Sequence, residues 1–408
     1  MLKDLTRSQP LWLTLAQKAI HPSWVKAALL KLPFNKIQSG SLTLTIKDEC
    51  LRFEGKESGP HAELIIKHPL RAYWLMKVQG QIGFAQAYVE GAVETTSLYN
   101  LLELGQANRN VWQAFFDVQA GNWWQQRQHR QRHNSKGNSR KNISYHYDLG
   151  NDFYQLWLDE SMTYSSGLGV SKECSLASSQ AAKYQRIWQE LEVGEGANLL
   201  EIGCGWGGFM ELSVQNGASI KGLTLSTEQA AYAKQRLLPY GEDKFDVALQ
   251  DYRDETQQYD GVVSIEMFEA VGKEYWDAYF SMLKRSLKPG AKAVLQIITI
   301  EDEHAEEYQA GVDFIQAYIF PGGLLPSVPQ LKALAQTHGL HWCNEFDFGQ
   351  DYARTCSEWK QSFNHHSDTL VKMGYDAAFQ RLWNFYLDYC AVGFVSGHIS
   401  VHQITLQK

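Results

Sequence analysis

Short apolar runs of strand length recur along the chain between stretches with helical spacing, and the pattern changes character near residue 144. Before that point it is mixed. Ser41 to Ile46 alternates polar and apolar, as a half-buried strand does, and Ala62 to Ile66 reads as another. Gln79 to Leu104, with Gly83, Gly91 and a later apolar repeat, predicts two short helices around a turn, which makes this a small α+β unit. Beyond Ala197 strands and helices alternate: Asn198 to Ile202, Ser219 to Leu225, Phe245 to Leu249, Gly261 to Ile265 and Lys292 to Ile300. Lys288, Pro289 and Gly290 stop the helix before the last of these. The tail adds a strand around Leu340 to Phe348, a helix with Trp383 and Tyr386, and a strand near Ile399 to Leu406, all expected to extend the sheet at one edge. The pattern predicts an α/β fold with a doubly wound sheet. Ligands of such sheets bind beyond the carboxyl ends of the strands, so Gly203, Thr224, Asp251 and Glu266 to Glu269 fall on one rim.

The sharpest local signal is Leu199 to Phe209, LLEIGCGWGGF, where an apolar strand meets a burst of glycines. Gly203, Gly205 and Gly208 match G-x-G-x-x-G, a weak signal alone because such a turn is often purely structural. Two details point from a dinucleotide to an adenosyl cofactor. Glu201 precedes the first glycine by two residues, and the next strand ends in Thr224 and Ser226 rather than in the acid that holds a dinucleotide ribose.

Composition narrows the class. With 44% hydrophobic and 20% charged residues the chain reads as globular, and no apolar run approaches the roughly 20 residues of a membrane span. At 408 residues it exceeds one domain. The division expected is an N-terminal packing or lipid-contact module over 1–125, a basic linker over 126–143 and the larger domain over 144–408. Leu11 to Ala16 is too short an apolar patch for an export signal, so a cytoplasmic location is expected. Six cysteines without a C-x-x-C pair indicate neither a zinc site nor a disulfide framework; no metal is expected. A net charge of -7 argues against nucleic acid as a general partner. One local basic stretch stands out: Arg127 to Lys141 carries six Arg and Lys and no acid, either as a solvated hinge or as a contact for anionic headgroups beside Trp123 and Trp124. Ser144 to Gly167 is dense in aromatics; Phe153, Leu156 and Trp157 fall at helical spacing, and Tyr147, Tyr164 and Ser165 are candidates to cap a ligand.

Taken together, HYDLGNDFYQLWLD, TYSSG, LLEIGCGWGGF, GLTLSTEQ, LQDYRD, MFEAVG and YIFPGGLLPS, in this order, resemble the cyclopropane-fatty-acyl-phospholipid synthase family. The resemblance is strong over 144–408 and looser before it. It implies a class I methyltransferase Rossmann-like fold and use of S-adenosylmethionine to deliver a one-carbon unit to a cis double bond in a phospholipid acyl chain. The partners it implies are unsaturated phospholipids at the inner membrane surface, with a homodimer as a further option. Residue by residue, it puts Tyr164 and Ser165 beside the cofactor, Glu201, Gly203 and Gly205 around the methionine part, and Thr224, Leu225 and Gln229 near the ribose. Asp251 and Tyr252 flank the adenine. The donor is a sulfonium cation and the acceptor an uncharged alkene, so catalysis rests on positioning and on stabilising a carbocation. Phe268, Tyr318, Phe320 and Glu269 are candidates for that, and the apolar stretch Asp313 to Phe320, with Phe314, is expected to wall the acyl chain.

Cyclopropane synthases of this family generally hold a bicarbonate ion as base. Here Glu269, Ile298 and Tyr352 keep the matching places, but Ser166 stands where Cys is usual, Gln296 where His is usual, Ala270 replaces a His, and Glu266 stands where Gly is common. SIEMFEAVG with LQIIT looks more like the branch that adds a methyl or methylene group. Within it Glu266 or Glu269 is expected to take the proton directly, two carboxylates three residues apart sharing one turn. The plainer alternative has Glu266 cap the following helix. Two other readings stay open: a non-catalytic lipid- or cofactor-binding relative, and a methyltransferase acting on a small amine.

Overall fold

The computed structural model describes residues 33–116, 149–171 and 173–408. Leu11 to Ala16, Trp123, Trp124, the basic stretch from Arg127 to Lys141 and Tyr147 lie outside them. The chain forms two compact units, and their division does not follow a single cut. One contains the described residues of Met1–Gln128 together with Val312–Tyr318 and Ser367–Ser396; the other contains those of His129–Gly311 with Ile319–His366 and Gly397–Lys408.

The first unit is built on a four-stranded sheet of β1 (Ser39–Ile46), β2 (Glu49–Glu54), β3 (Glu57–Ile66) and β4 (Val93–Glu94), ordered β2-β1-β3-β4. Alternation puts Leu42, Leu44, Ala62 and Leu64 on the face that packs against Ala72, Leu75, Leu101 and Leu104. β2 escaped the sequence reading because ECLRFE leaves its side chains exposed or half-buried and gives no apolar stripe. The two helices expected after β3 are Pro69–Val89, broken at Gly80 by a φ of 56°, and Leu98–Ala107. Ser97 starts the latter, its Oγ accepting from the Asn100 N–H at 3.2 Å. The Ala377–Val395 helix belongs here and packs against both. The sequence reading had it extend the larger sheet with Trp383 and Tyr386; its apolar residues are instead consumed by this helical layer.

The second unit holds a seven-stranded sheet of β5 (Asn198–Ile202), β6 (Ser219–Thr224), β7 (Phe245–Leu249), β8 (Tyr259–Ile265), β9 (Leu287–Ile300), β10 (His341–Asp347) and β11 (Ile399–Gln407). Its order is β10-β11-β9-β8-β5-β6-β7. Neighbours from β7 to β9 pair in parallel, while β11 pairs antiparallel with both β9 and β10. Central strands read as nearly continuous apolar runs because both faces are covered: Leu200, Val262 and Leu295 enter one core and Leu199, Val263 and Val294 the other. All the strands expected from the pattern are present, and the rim at their carboxyl ends is formed as anticipated. Two helices the pattern did not single out, Leu176–Leu191 and Gly349–His365, bring side chains to that rim.

Candidate active site

Gly203 and Gly205 follow β5 with φ of 82° and 51°, a left-handed conformation that glycine adopts without a Cβ penalty. At Gly203 a Cβ would meet the Met267 side chain at 2.8 Å, whereas at Gly205 it would meet nothing within 4 Å. The turn is therefore packed on one side and open on the other. Glu201, at 3% exposure, keeps its Oε2 without a hydrogen-bond partner, and burial pushes its carboxyl well above the usual range, opposed by Lys183 and Arg236. An orphaned carboxylate oxygen beside an open glycine turn fits the ammonium group of an amino-acid-bearing cofactor. At the end of β6 the Thr224 hydroxyl donates to Gln229 Oε1 at 2.9 Å and accepts from the Ser226 N–H, with Leu225 half-buried between. Beyond β7, Asp251 is held by the Arg253 guanidinium and backbone at 2.6–3.0 Å, and the Tyr252 ring meets Tyr279 edge to face at 5.4 Å.

The centre of the site is Glu266. Its φ of 49° lies in the left-handed region that favours glycine and strains a larger side chain by about 1–3 kcal/mol. The strained turn aims its carboxylate into a ring of donors. Oε1 accepts from the Ser166 N–H at 2.9 Å and from Gln296 Nε2 at 2.7 Å; Oε2 accepts from the Tyr352 hydroxyl at 2.5 Å. The next helical turn, Phe268–Ala270, has no side-chain cap, so the capping alternative does not hold. Ser166 serves through its backbone while its hydroxyl turns to the Gly167 carbonyl, so Ser for Cys leaves this contact intact. The Gln296 amide is oriented by Gln403, which donates to its Oε1 at 3.1 Å.

Glu269 lies beside it and behaves differently. Its Oε1 accepts from the Ile298 N–H at 2.5 Å and its Oε2 is buried without a partner. Burial, reinforced by the Glu266 charge, pushes its pKa up to about 8, so it holds its proton at neutral pH. Burial raises Glu266 as well, but Lys183, Tyr352, the Ser166 N–H and Gln296 all favour its ionised form. Burial raises both neighbouring carboxyls, and of the two only Glu266 has a facing cation and side-chain donors that favour its ionised form.

Lys183 is the residue the sequence reading missed. It is fully buried, donates to Ser165 Oγ at 2.5 Å, and desolvation lowers its pKa to about 7 against the opposing pull of Glu266, Asp159 and Glu201. Gln180 Nε2, one turn earlier, donates to the Ser165 carbonyl at 2.8 Å. The signal was available: Ser179, Gln180, Lys183, Ile187 and Leu191 form the buried stripe of one amphipathic helix, and a lysine on such a stripe needs a buried partner.

Of the other expected residues, Tyr164 packs among Tyr154, Trp157 and Trp359 at 5.2–5.6 Å, with Phe320 at 6.3 Å. Phe268 sits in the core, 1% exposed, its ring covered by Trp276, Tyr279 and Phe280. That geometry makes it a packing residue and leaves its ring no face for a substrate cation. Phe314 and Tyr318 belong to the first unit, where Phe314 packs on Phe385 at 4.5 Å and on Tyr389 at 5.8 Å.

Parallel strands with one reversed strand near an edge, and a glycine turn after β5, define the Rossmann-like class of methyltransferase fold. Within that class the chain belongs to the mycolic acid cyclopropane synthetase family, which matches residues 134–404. It is 38% identical over 281 residues to the tuberculostearic acid methyltransferase UfaA1 of Mycobacterium tuberculosis, covering 67% of this chain and 66% of that relative. A probable fatty acid methyltransferase of Pseudomonas putida is 31% identical over 358 residues, covering 86% and 88%. Among solved structures, mycolic acid cyclopropane synthase CmaA1 complexed with SAH and CTAB superposes with a TM-score of 0.61 at 32% identity, covering 66% of this chain and 98% of that one.

Proposed function

We propose that the chain is an S-adenosylmethionine-dependent enzyme that adds a one-carbon unit to the cis double bond of an unsaturated fatty acyl chain, with the Glu266 carboxylate as the base. The observation that carries this is the ring of donors around Glu266. In the cyclopropane synthases these places hold bicarbonate; here Ser166, Gln296 and Tyr352 all donate to a side-chain carboxylate. No bicarbonate is then required. The names of the relatives, a tuberculostearic acid methyltransferase and a fatty acid methyltransferase, support the methyl or methylene outcome over the ring.

When bound, S-adenosylmethionine supplies an electrophilic methyl group whose transfer to an alkene leaves a carbocation that must lose a proton. Glu201 and the Gly203–Gly205 turn hold the methionine part, with Tyr164 and Ser165 beside it; Thr224, Leu225 and Gln229 lie at the ribose, and Asp251 and Tyr252 at the adenine. Glu266 accepts the proton, and Tyr352, Gln296 and the Ser166 N–H disperse its charge beforehand. Glu269, neutral at pH 7, keeps a second negative charge away from that base. Tyr164 and Phe320, both half-buried and 6.3 Å apart, are the rings we assign to stabilise developing positive charge.

The acceptor we assign is a phospholipid acyl chain met at a membrane surface. No helix among the described residues is long and apolar enough to cross a membrane. Trp74 and Val78, four residues apart on one helix of the first unit, are exposed and support such an encounter. The test is incubation of the purified protein with S-adenosylmethionine and vesicles of dioleoyl phospholipid, with bicarbonate removed. Release of S-adenosylhomocysteine and acyl chains heavier by one CH2 are expected, with NMR separating branch from ring. Turnover that appears only on adding bicarbonate would overturn the role of Glu266, and no turnover in either condition would overturn the enzyme reading.

A further inference from the structure

Among the described residues one cluster of metal-ligating side chains stands at the carboxyl end of β9, apart from the groups that surround Glu266. β9 ends at Ile300 and the chain turns at Glu301 into the Asp302–Ala310 helix, which places His304 one turn on. His398 leads into β11, where Ile399 pairs with Ile300, and the Glu301 N–H donates to the His398 carbonyl at 3.1 Å. The backbone thus fixes all three residues against one another at the junction of two paired strands.

The side-chain geometry is specific. Glu301 Oε2 lies 3.7 Å from His304 Nε2 and 3.6 Å from His398 Nδ1, and the three ligating atoms all lie within 4.8 Å of one another. These spacings exceed a hydrogen bond of about 2.7–3.2 Å. They match instead the ligand-to-ligand edge around a tetrahedral ion, roughly 3.4 Å for zinc bonds of about 2.0–2.1 Å. The two imidazole rings stand 5.0 Å apart and inclined by 61°, an edge-on arrangement rather than a stack. Both histidines are largely buried, at 24% and 18% exposure, while Glu301 is half exposed, which leaves a side open for water.

We propose that Glu301, His304 and His398 form a binding site for a zinc-type divalent transition-metal ion, with two imidazoles and one carboxylate as ligands and water completing the shell. Borderline-soft imidazole nitrogens with one carboxylate select zinc-type ions over magnesium or calcium, which demand an oxygen cage. The ion acts as a clamp between the end of β9 and the start of β11 and takes no part in proton transfer. The competing arrangement is a set of ordinary charge pairs, since Glu303 Oε1 also lies 3.3 Å from His304 Nε2.

The test needs no turnover. Zinc chloride is titrated by calorimetry into chelator-treated, tag-free full-length protein, alongside His304→Ala and His398→Ala. One equivalent is expected for the wild type, with a higher melting temperature, and both the zinc equivalent and the thermal shift disappear in each variant. Cobalt in place of zinc should give the visible absorption of a tetrahedral nitrogen–oxygen site. The fold of His304→Ala is checked by circular dichroism and by cofactor binding. Zinc bound equally by that variant, or no zinc bound by the wild type, would overturn the proposal.

Discussion

The two units spend their buried positions differently. In the first, Leu42, Leu44, Leu64, Ala72, Leu75 and Leu104 are apolar and 0–3% exposed, and this sheet-and-helix layer is held by area removed from water. In the second, the rim of the sheet takes Lys183 and Glu201 out of water and leaves Glu266 and Glu269 half-buried, all close to apolar strands. Burying an ionisable group costs free energy unless donors and opposite charge surround it, so such a cluster persists for its chemistry and not for stability. One region is therefore expected to respond to mutation in its stability, the other in its activity and pH dependence.

The largest effect expected is from Glu266→Gln, which keeps the shape but cannot take a proton: turnover should fall by about 10²–10⁴-fold while cofactor binding stays within a few fold. Retained turnover would break the contrast at its centre. In the first unit Leu104→Ala should lower stability by about 2–5 kcal/mol in denaturant unfolding, the range for emptying a packed leucine site. A loss below 1 kcal/mol would show that this core collapses around the gap. Glu201→Gln removes the orphaned carboxyl that a bound ammonium would hold ionised, and should weaken S-adenosylmethionine binding by about 10- to 100-fold by calorimetry, a charged hydrogen bond being worth about 1.5–3 kcal/mol. Unchanged affinity would remove Glu201 from the cofactor site.

The smallest effect is a pH dependence. Glu269 has its pKa raised to about 8, so the folded protein binds this proton more tightly than the unfolded chain does. Its contribution to stability is present below the unfolded value of about 4.3 and is lost as pH rises through about 8. Glu269→Gln does not titrate, so its melting temperature relative to wild type should rise between pH 5 and pH 9. A flat difference across that range would place the carboxyl in an environment as wet as the unfolded chain.

Much of the architecture was legible because the second unit is written in apolar strand runs of the right length. β5 and β7 fall at the bounds read from the sequence, and the Gly203–Gly205 turn follows from composition and position. β2 was not legible, since a strand with one wet face and one half-buried face carries little apolar alternation. The Gly349–His365 helix, which supplies Tyr352, reads as mostly polar, and its functional residue is one buried tyrosine among several. The Ala377–Val395 helix was legible as a helix but not in its partner, because periodicity reports an apolar face without saying what covers it.

By itself the sequence determined the strand-helix alternation, the glycine turn, and the presence of two carboxylates, Glu266 and Glu269, three residues apart after β8. These are local properties: backbone angles, apolar period and residue identity act within a few positions. Only the tertiary structure decided that the Glu266 carboxylate is ringed by Ser166, Gln296 and Tyr352, from segments up to 100 residues away, and that Lys183 stands buried behind Ser165. A carboxylate's role depends on which donors reach it and how much water remains, and both are set by how distant elements pack.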